Sequence, residues 1–372
     1  MLKKGFILLV LCCSCCYISA DDFATEKFAD TDSTYVKPKK DNIIKRFIKA
    51  FNAMDTTYIT PNKYNWAFML QNTNSFETYS LHSREINQKL SFSPKPGIKI
   101  GPYLGWRWIF LGTTFEVSSL GEGHKVEKTE FELSLYSSML GCDLIYRRTG
   151  NDFKLRKVKG AGEVAQSVEG RRFEGINVNV TGINAYYIFN HKRFSYPAAF
   201  AQSTVQRKSC GSWKAGLSYT LHELEFDYNK LPNELISDKA NGRLSNDFRI
   251  DQLKYHDFSV SCGYSYNWVF KKNWLLCMSL TPALGYKQTA TDVTKIAETT
   301  TQKEMPKFDF DNFNVDLIAR FGLVWNNTKY FGGMSLIVHN YNYRHNKLTI
   351  RNTFGTLNVY LGLNFHKRKA YR

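Results

Sequence analysis

The chain has 372 residues, 43% of them hydrophobic and 15% aromatic, with a formal net charge of +17 and a mean hydropathy of −0.38. No stretch after Ala20 is apolar for long enough to make a membrane helix, and no Pro/Ser-rich linker divides the chain, which disfavours a helical membrane protein and a linked pair of soluble domains. The positive balance suits anionic surfaces, whether lipid headgroups or nucleic acid.

Residues 1–20 combine a charged start (Lys3, Lys4), an apolar run and a small residue before Asp21-Asp22, the pattern of a secretory signal peptide cleaved after Ala20. A retained anchor is the alternative, yet the run from Gly5 to Ala20 falls short of the roughly 20 residues that span a bilayer. Lipid attachment at Cys15, behind Ser14, is a further alternative. Loss of Lys3 and Lys4 leaves a charge of +15, and export makes nucleic acid the poorer partner. Four of the eight cysteines lie in the leader. Those that remain, Cys142, Cys210, Cys262 and Cys277, show no CxxC spacing; this disfavours a metal site and permits a disulfide without indicating one.

Residues 21–62 read as an N-terminal periplasmic segment. Within it, Asp41–Met54 sets Ile43, Ile44, Phe47, Ile48 and Phe51 on one helical stripe with Asp41 as N-cap. This short amphipathic helix lies on the inner leaflet, plugs a barrel mouth, or simply packs.

From residue 63 to 366 the chain alternates. Tyr64–Gln71, Glu77–Leu90, Gly97–Trp106, Phe110–Ser118, Thr129–Arg148, Phe153–Val158, Ile176–Phe189 and Trp213–Tyr228 read as strands. The signal is strongest later, where Phe258, Val260, Cys262, Tyr264, Tyr266, Trp268 and Phe270 alternate with small or polar residues. It resumes in Trp274–Tyr286 and Phe313–Trp325. Such runs exceed the usual soluble strand and reach the roughly 9–11 residues that cross a bilayer at a tilt, with aromatics at their ends where an interfacial girdle places them. The expectation is an all-β fold, a transmembrane antiparallel β-barrel of about 12 strands in a Gram-negative outer membrane, rather than a soluble sandwich or lipocalin-like barrel. In Phe313–Trp325, parity sends Leu317, Ala319 and Phe321 to lipid and Asp316, Ile318 and Arg320 to the lumen.

The last strand, Thr356–Phe365, closes on an aromatic, the form that barrel-assembly machinery reads; a basic tail, 367–372, follows. Expected partners are therefore membrane lipids and that machinery, with no nucleic acid. If the C-terminus is periplasmic, 344–354, 287–307 and 228–253 are outer connections, and Asn326–Lys329 and Lys271–Asn273 are tight inner turns. Asn190–Ser212 then falls on the inner side, where so long a connection either caps the barrel or folds into it.

Several phrases resemble an outer-membrane barrel family, domain of unknown function 4421. They are Asp55–Tyr64, Ser91–Gly97, Gly105–Trp108, Tyr146–Phe153 and Asn184–Asn190 continuing to Phe194–Phe200. The resemblance runs from about Asp55 to Phe365 and implies a barrel in the outer membrane; it supplies no substrate, catalytic residue or partner.

The chemistry-bearing residues favour a lumen over an active site. Glu130 and Glu132 alternate against Phe131 and Leu133, while Asp316 and Arg320 alternate against Leu317 and Ala319. A cation on the lipid face would cost about 2–4 kcal/mol at the midplane, so parity turns these four inward as lumen-lining candidates. They line an open channel or pair into a closed plug. His82-Ser83 is the one adjacent His/Ser pair, and neighbours on a strand face opposite ways. His222 and His339 lie in strands without a recognisable nucleophile and orienter. No P-loop, dinucleotide fingerprint, EF-hand or HExxH motif stands in a fitting context. No cofactor, metal or catalytic residue is expected. A channel or transporter is the first functional reading; a structural, docking or adhesive barrel and a barrel-embedded lipid-modifying enzyme are the others.

Overall fold

The computed structural model describes residues 53–372 apart from 107–108, 114, 118–127, 151, 163, 237–243, 294–309 and 346. The signal peptide expected over residues 1–20 and nearly all of the helix expected over Asp41–Met54 lie outside the described residues. The strands are β1 (Ile59–Pro61), β2 (Tyr64–Ser83), β3 (Lys89–Pro94), β4 (Gly97–Trp106), β5 (Ile109–Gly112), β6 (Phe115–Glu116), β7 (Lys128–Tyr136), β8 (Leu140–Gly150) and β9 (Phe153–Lys159). They continue as β10 (Arg172–Phe173), β11 (Ile176–Ile188), β12 (Thr204–Gln206), β13 (Cys210–Phe226), β14 (Gln252–Lys271), β15 (Trp274–Val293), β16 (Phe313–Asn326), β17 (Tyr330–His345) and β18 (Leu348–Lys367). Short helices α1 (Val164–Val168), α2 (Pro197–Phe200) and α3 (Asn233–Ile236) sit in the connections.

All pairings are antiparallel. The ladder runs from β11 through β13 to β18, each strand beside the next, and β18 returns to β2 with Leu348 opposite Ser83 and Lys367 opposite Tyr64. There it forks. The far half of β2 pairs with β3, β3 with β9 and β9 with β10, from which Glu174-Gly175 leads the chain directly into β11. Nearer the chain termini, β2 pairs instead with β4, β4 with β5 and β6, and β7 with β8, so extra strands enter that half of the wall. We call the end carrying residues 55–64 and 364–372 proximal and the other distal.

The sheet holds 16 strand segments where about 12 strands were expected, because bent strands are broken into pieces. Pro94 and Pro96 offer no N–H to a ladder and separate β3 from β4. Three boundaries also differ from expectation. β2 is one strand across the polar stretch 72–75, where Gln71 Nε2 and Thr73 Oγ1 bond Asn358 Oδ1 at 3.1 and 2.8 Å and carry the ladder on. Thr129–Arg148 is a hairpin, turned where the Ser137 N–H donates to the Leu140 carbonyl at 2.9 Å. The outer connection expected over 344–354 is mostly strand: β17 and β18 stay paired to His345 and Leu348, and Ile350 and Phe354 are buried.

In their proximal and middle stretches the long strands turn an apolar side outward. On β14, Phe258 and Val260 are 53% and 63% exposed, while Asp257, Ser259, Ser261, Ser265 and Asn267 are buried. β16 does the same: Val315 and Leu317 are exposed, and Asp316, Ile318 and Arg320 are buried. A soluble barrel has the opposite arrangement. So continuous an apolar exterior, ringed by Trp66, Trp213, Trp268, Phe270, Tyr330 and Phe365, belongs in hydrocarbon, where strand-to-strand hydrogen bonds satisfy the backbone. The chain is an outer-membrane β-barrel.

Both ends of the interior are filled. Distally, strand extensions and loops converge on an apolar cluster that includes Leu90, Phe92, Phe153, Phe173, Phe226, Phe248 and Tyr343. The Phe92 ring stacks on Phe173 with centroids 5.0 Å apart, and Phe226 meets both. The 227–251 connection, as far as it is described, is drawn over this cluster by Ser83 Oγ donating to Asp247 Oδ2 at 2.6 Å and Ser245 N to Gln88 Oε1 at 2.8 Å. Proximally, the stretch expected to cap the barrel or enter it does both. β12 pairs with β1 beneath the wall, while Tyr196 and α2 reach inward: Gly322 leaves room for Ala199 and Phe200, each 3.3 Å from where a β-carbon would stand. The proximal turns are tight as expected, with Asn273 and Thr328 in the left-handed region at φ 68° and 81°.

Candidate functional site

Between the two seals the lumen holds charged side chains, some paired between neighbouring strands and others, among them Arg320 with Asp143 and Arg147 with Glu77, joining strands that are not adjacent. Period 2 puts every second residue inside, and since charge is excluded from lipid, ionisable residues on these strands collect there. Arg147 (β8) holds Glu130 (β7) at 2.7 Å and Glu77 (β2) at 3.5 Å, and Glu130 also meets Lys128 at 3.1 Å and Lys99 at 3.2 Å. The guanidinium lies over the Phe354 ring, 4.6 Å from its centroid.

A second group centres on Lys287 (β15), fully buried, which reaches Asp316 (β16) at 2.8 Å, Asp257 (β14) at 3.3 Å and the Asn342 carbonyl at 2.6 Å. Gly285 makes this packing feasible, because a β-carbon there would stand 2.5 Å from Asp257 Oδ1. Closer to the proximal seal, Arg320 (β16) spans the lumen to Asp143 (β8), which Ser134 and Asn184 also bond at 2.7 and 2.9 Å. Tyr136, Tyr186 and Tyr196 surround that guanidinium. Below it, Lys214 and Ser279 bond the Tyr196 hydroxyl at 2.8 and 2.7 Å, which ties the inserted segment to the wall.

The four residues singled out from sequence stand in separate places, Asp316 and Arg320 buried and Glu130 and Glu132 half-buried. Glu130 belongs to the Arg147 group, Asp316 to the Lys287 group and Arg320 to the Asp143 group, while Glu132 faces His339 at 3.6 Å. Their charged neighbours Glu77, Lys99, Lys128, Asp143, Arg147, Lys214, Asp257 and Lys287 were not singled out from sequence. Parity would have found two of them: Asp257 precedes the alternating run begun at Phe258, and Lys287 follows the one ended at Tyr286.

The arrangement is better suited to holding walls apart than to chemistry. Each carboxylate above except Glu132 is engaged by a cation at hydrogen-bond or contact distance, and an ion so held is a poor proton acceptor. His339 stacks on Phe354 and has no hydrogen-bond partner in the protein, the state of polar groups that internal water satisfies. His222 stacks on Tyr255 and meets the Thr220 hydroxyl at 3.2 Å. His82 and Ser83 face opposite ways, toward Asn87 and Asp247. Cys142, Cys210, Cys262 and Cys277 are free thiols, and no group of three or more His, Cys, Asp or Glu gathers for a metal among the described residues. A void lined by Asn184, Tyr186, Lys214, Ser261, Thr281, Ile318 and Arg320 has room for about one water molecule.

Among solved structures the chain is similar to the outer-membrane protease OmpT from Escherichia coli (8% identity, 82% of this chain and 98% of that one covered, TM-score 0.34). It is also similar to the translocator domain of the autotransporter NalP from Neisseria meningitidis (12%, 86% and 93% covered, TM-score 0.35) and to OprG from Pseudomonas aeruginosa (7%, 82% and 98% covered, TM-score 0.22). At these TM-scores none of them bears on the reading of the lumen. No curated protein matches the chain. The profile described as domain of unknown function (DUF4421) matches residues 53–365, nearly the whole described barrel, and the chain belongs to that family.

Proposed function

We propose that this barrel does not conduct and that it works as a membrane-held docking body, its activity carried by its two end faces. The observation behind this reading is the lumen, occupied at three successive levels: the distal apolar cluster, the buried ion pairs of Lys287 and Arg320, and the inserted segment around Tyr196. A passive channel needs a continuous wet path, and opening one here would break several buried pairs whose separate loss costs about 3–5 kcal/mol each. Its immediate partners on this reading are the lipids of the bilayer and the assembly machinery that inserts it. Refolded protein in a planar bilayer tests the proposal. The expected record is flat at moderate voltage. Stable unitary steps would overturn it in favour of a channel, and fatty-acid release from phospholipid vesicles by the pure protein would overturn it in favour of the enzyme.

A further inference from the structure

We infer that the proximal rim is a binding surface for anionic phospholipid, gripping the phosphate groups of the leaflet that meets it. This builds on the barrel reading and is independent of whether the lumen conducts. Lys271 and Lys272 form the β14–β15 turn, Lys329 the β16–β17 turn, Lys367 ends β18, and Lys63 precedes β2. All five are exposed. They stand just beyond girdle aromatics: Lys271 and Lys272 lie between Phe270 and Trp274, Lys329 beside Tyr330, and Lys367 two residues past Phe365 on the same outward face. The Lys329 ammonium is 5.2 Å from the centre of the Tyr330 ring, and Lys63 is 5.9 Å from that of Tyr371. Aromatic rings of this kind settle at headgroup depth, so the ammonium groups beside them reach the phosphate plane.

The charge balance favours the same occupant. Three distal cations are paired with acids, Arg171–Glu234 at 2.8 Å, Lys347–Glu85 at 2.9 Å and Lys254–Glu223 at 2.6 Å, while Lys89 stands against Arg351, Lys157 and Lys159. Among the described residues none of the five rim lysines pairs with a carboxylate. The acidic side chain at this end, Asp55, is taken by Arg193 at 3.3 Å. The rim therefore presents positive charge without a carboxylate partner beside aromatics that settle at headgroup depth. Surface cations of this kind favour anionic lipid by about fivefold each at low salt, an effect lost within a Debye length.

The test uses the full barrel in bilayers of mixed phosphatidylglycerol and phosphatidylcholine, with spin-labelled lipids reporting which headgroup occupies the boundary layer. The unaltered protein is expected to prefer phosphatidylglycerol several-fold at low salt and to lose that preference in molar salt. The combined variant Lys271→Gln, Lys272→Gln, Lys329→Gln and Lys367→Gln is expected to show almost none, while Lys254→Gln with Lys347→Gln at the distal end keeps it. Absence of any preference, survival of it in the rim variant, or equal loss in the distal variant would overturn the assignment. Inorganic phosphate competing as well as the lipid would also overturn it, by showing that the rim reads a free anion. If the rim variant fails to fold, the salt titration and phosphate competition on unaltered protein decide the matter.

Discussion

The two ends of this barrel are closed by different physics. The distal seal grows out of the wall itself: strands run past the ring and turn Phe92, Phe153, Phe173 and Phe226 into a dry cluster. The proximal seal is an inserted segment, held by directed contacts such as Tyr196 to Ser279 and Lys214, and Gln202 to Tyr360 at 2.7 Å. Apolar closure is undirected and grows with the area removed from water; polar closure depends on geometry and suffers when one partner goes missing. One end is therefore inseparable from the folded core, and the other is fastened to it.

Truncation within the distal cluster should have the largest effect. Phe226→Ala removes a buried ring that contacts Phe92 and Phe173 and is expected to cost about 3–5 kcal/mol, read as a lower urea midpoint of the lipid-embedded barrel. A change below 1 kcal/mol would mean that the distal seal is an ornament on the wall.

Tyr196→Phe sharpens the contrast. It keeps the ring and deletes the hydroxyl that Lys214 and Ser279 share, so about 1–3 kcal/mol is expected in the same titration. Should it prove as damaging as Phe226→Ala, the proximal segment is core after all.

The smallest effect belongs to acid. Outside the membrane, Asp55 is held below the ordinary carboxylate range, first by hydrogen bonds from Thr57 and then by Arg193. Because its folded value is depressed, its contribution is fully present above the unfolded value and fades as pH falls through the folded one. Protease access to the 191–209 segment is therefore expected to rise slightly below about pH 4, and Asp55→Asn to abolish that rise; an unchanged acid response in the variant would remove Asp55 from the proximal closure.

Much of the wall was legible in the sequence, because a lipid-facing strand writes its register in every second residue. Phe313–Trp325 alternates in burial as it does in polarity, with Asp316, Ile318 and Arg320 buried between the more exposed Val315, Leu317, Ala319 and Phe321. What was lost is where alternation carries no punctuation. Ser137 and Ser138 turn the chain inside an unbroken alternating run, and the polar stretch 72–75 continues a strand that its composition would end. The pairing across the lumen was not legible at all. Arg320 and Asp143 are distant in sequence and meet through the curvature of the whole wall, which no local pattern encodes. The distal cluster was hidden for a related reason: its residues come from strand ends and loops that each look unremarkable alone.

The seam between β2 and β18 sets the timing of assembly. The strands that open and finish the barrel lie side by side over nearly twenty residues, so the contacts that complete the ring are among the longest-range in the chain. Loops of that size close slowly, and high contact order places this barrel among slow folders. Until β18 arrives, β2 presents a long open edge, an invitation to pair with the wrong chain. Cells that make this protein must therefore keep the exported chain unpaired and soluble until its final strand is delivered.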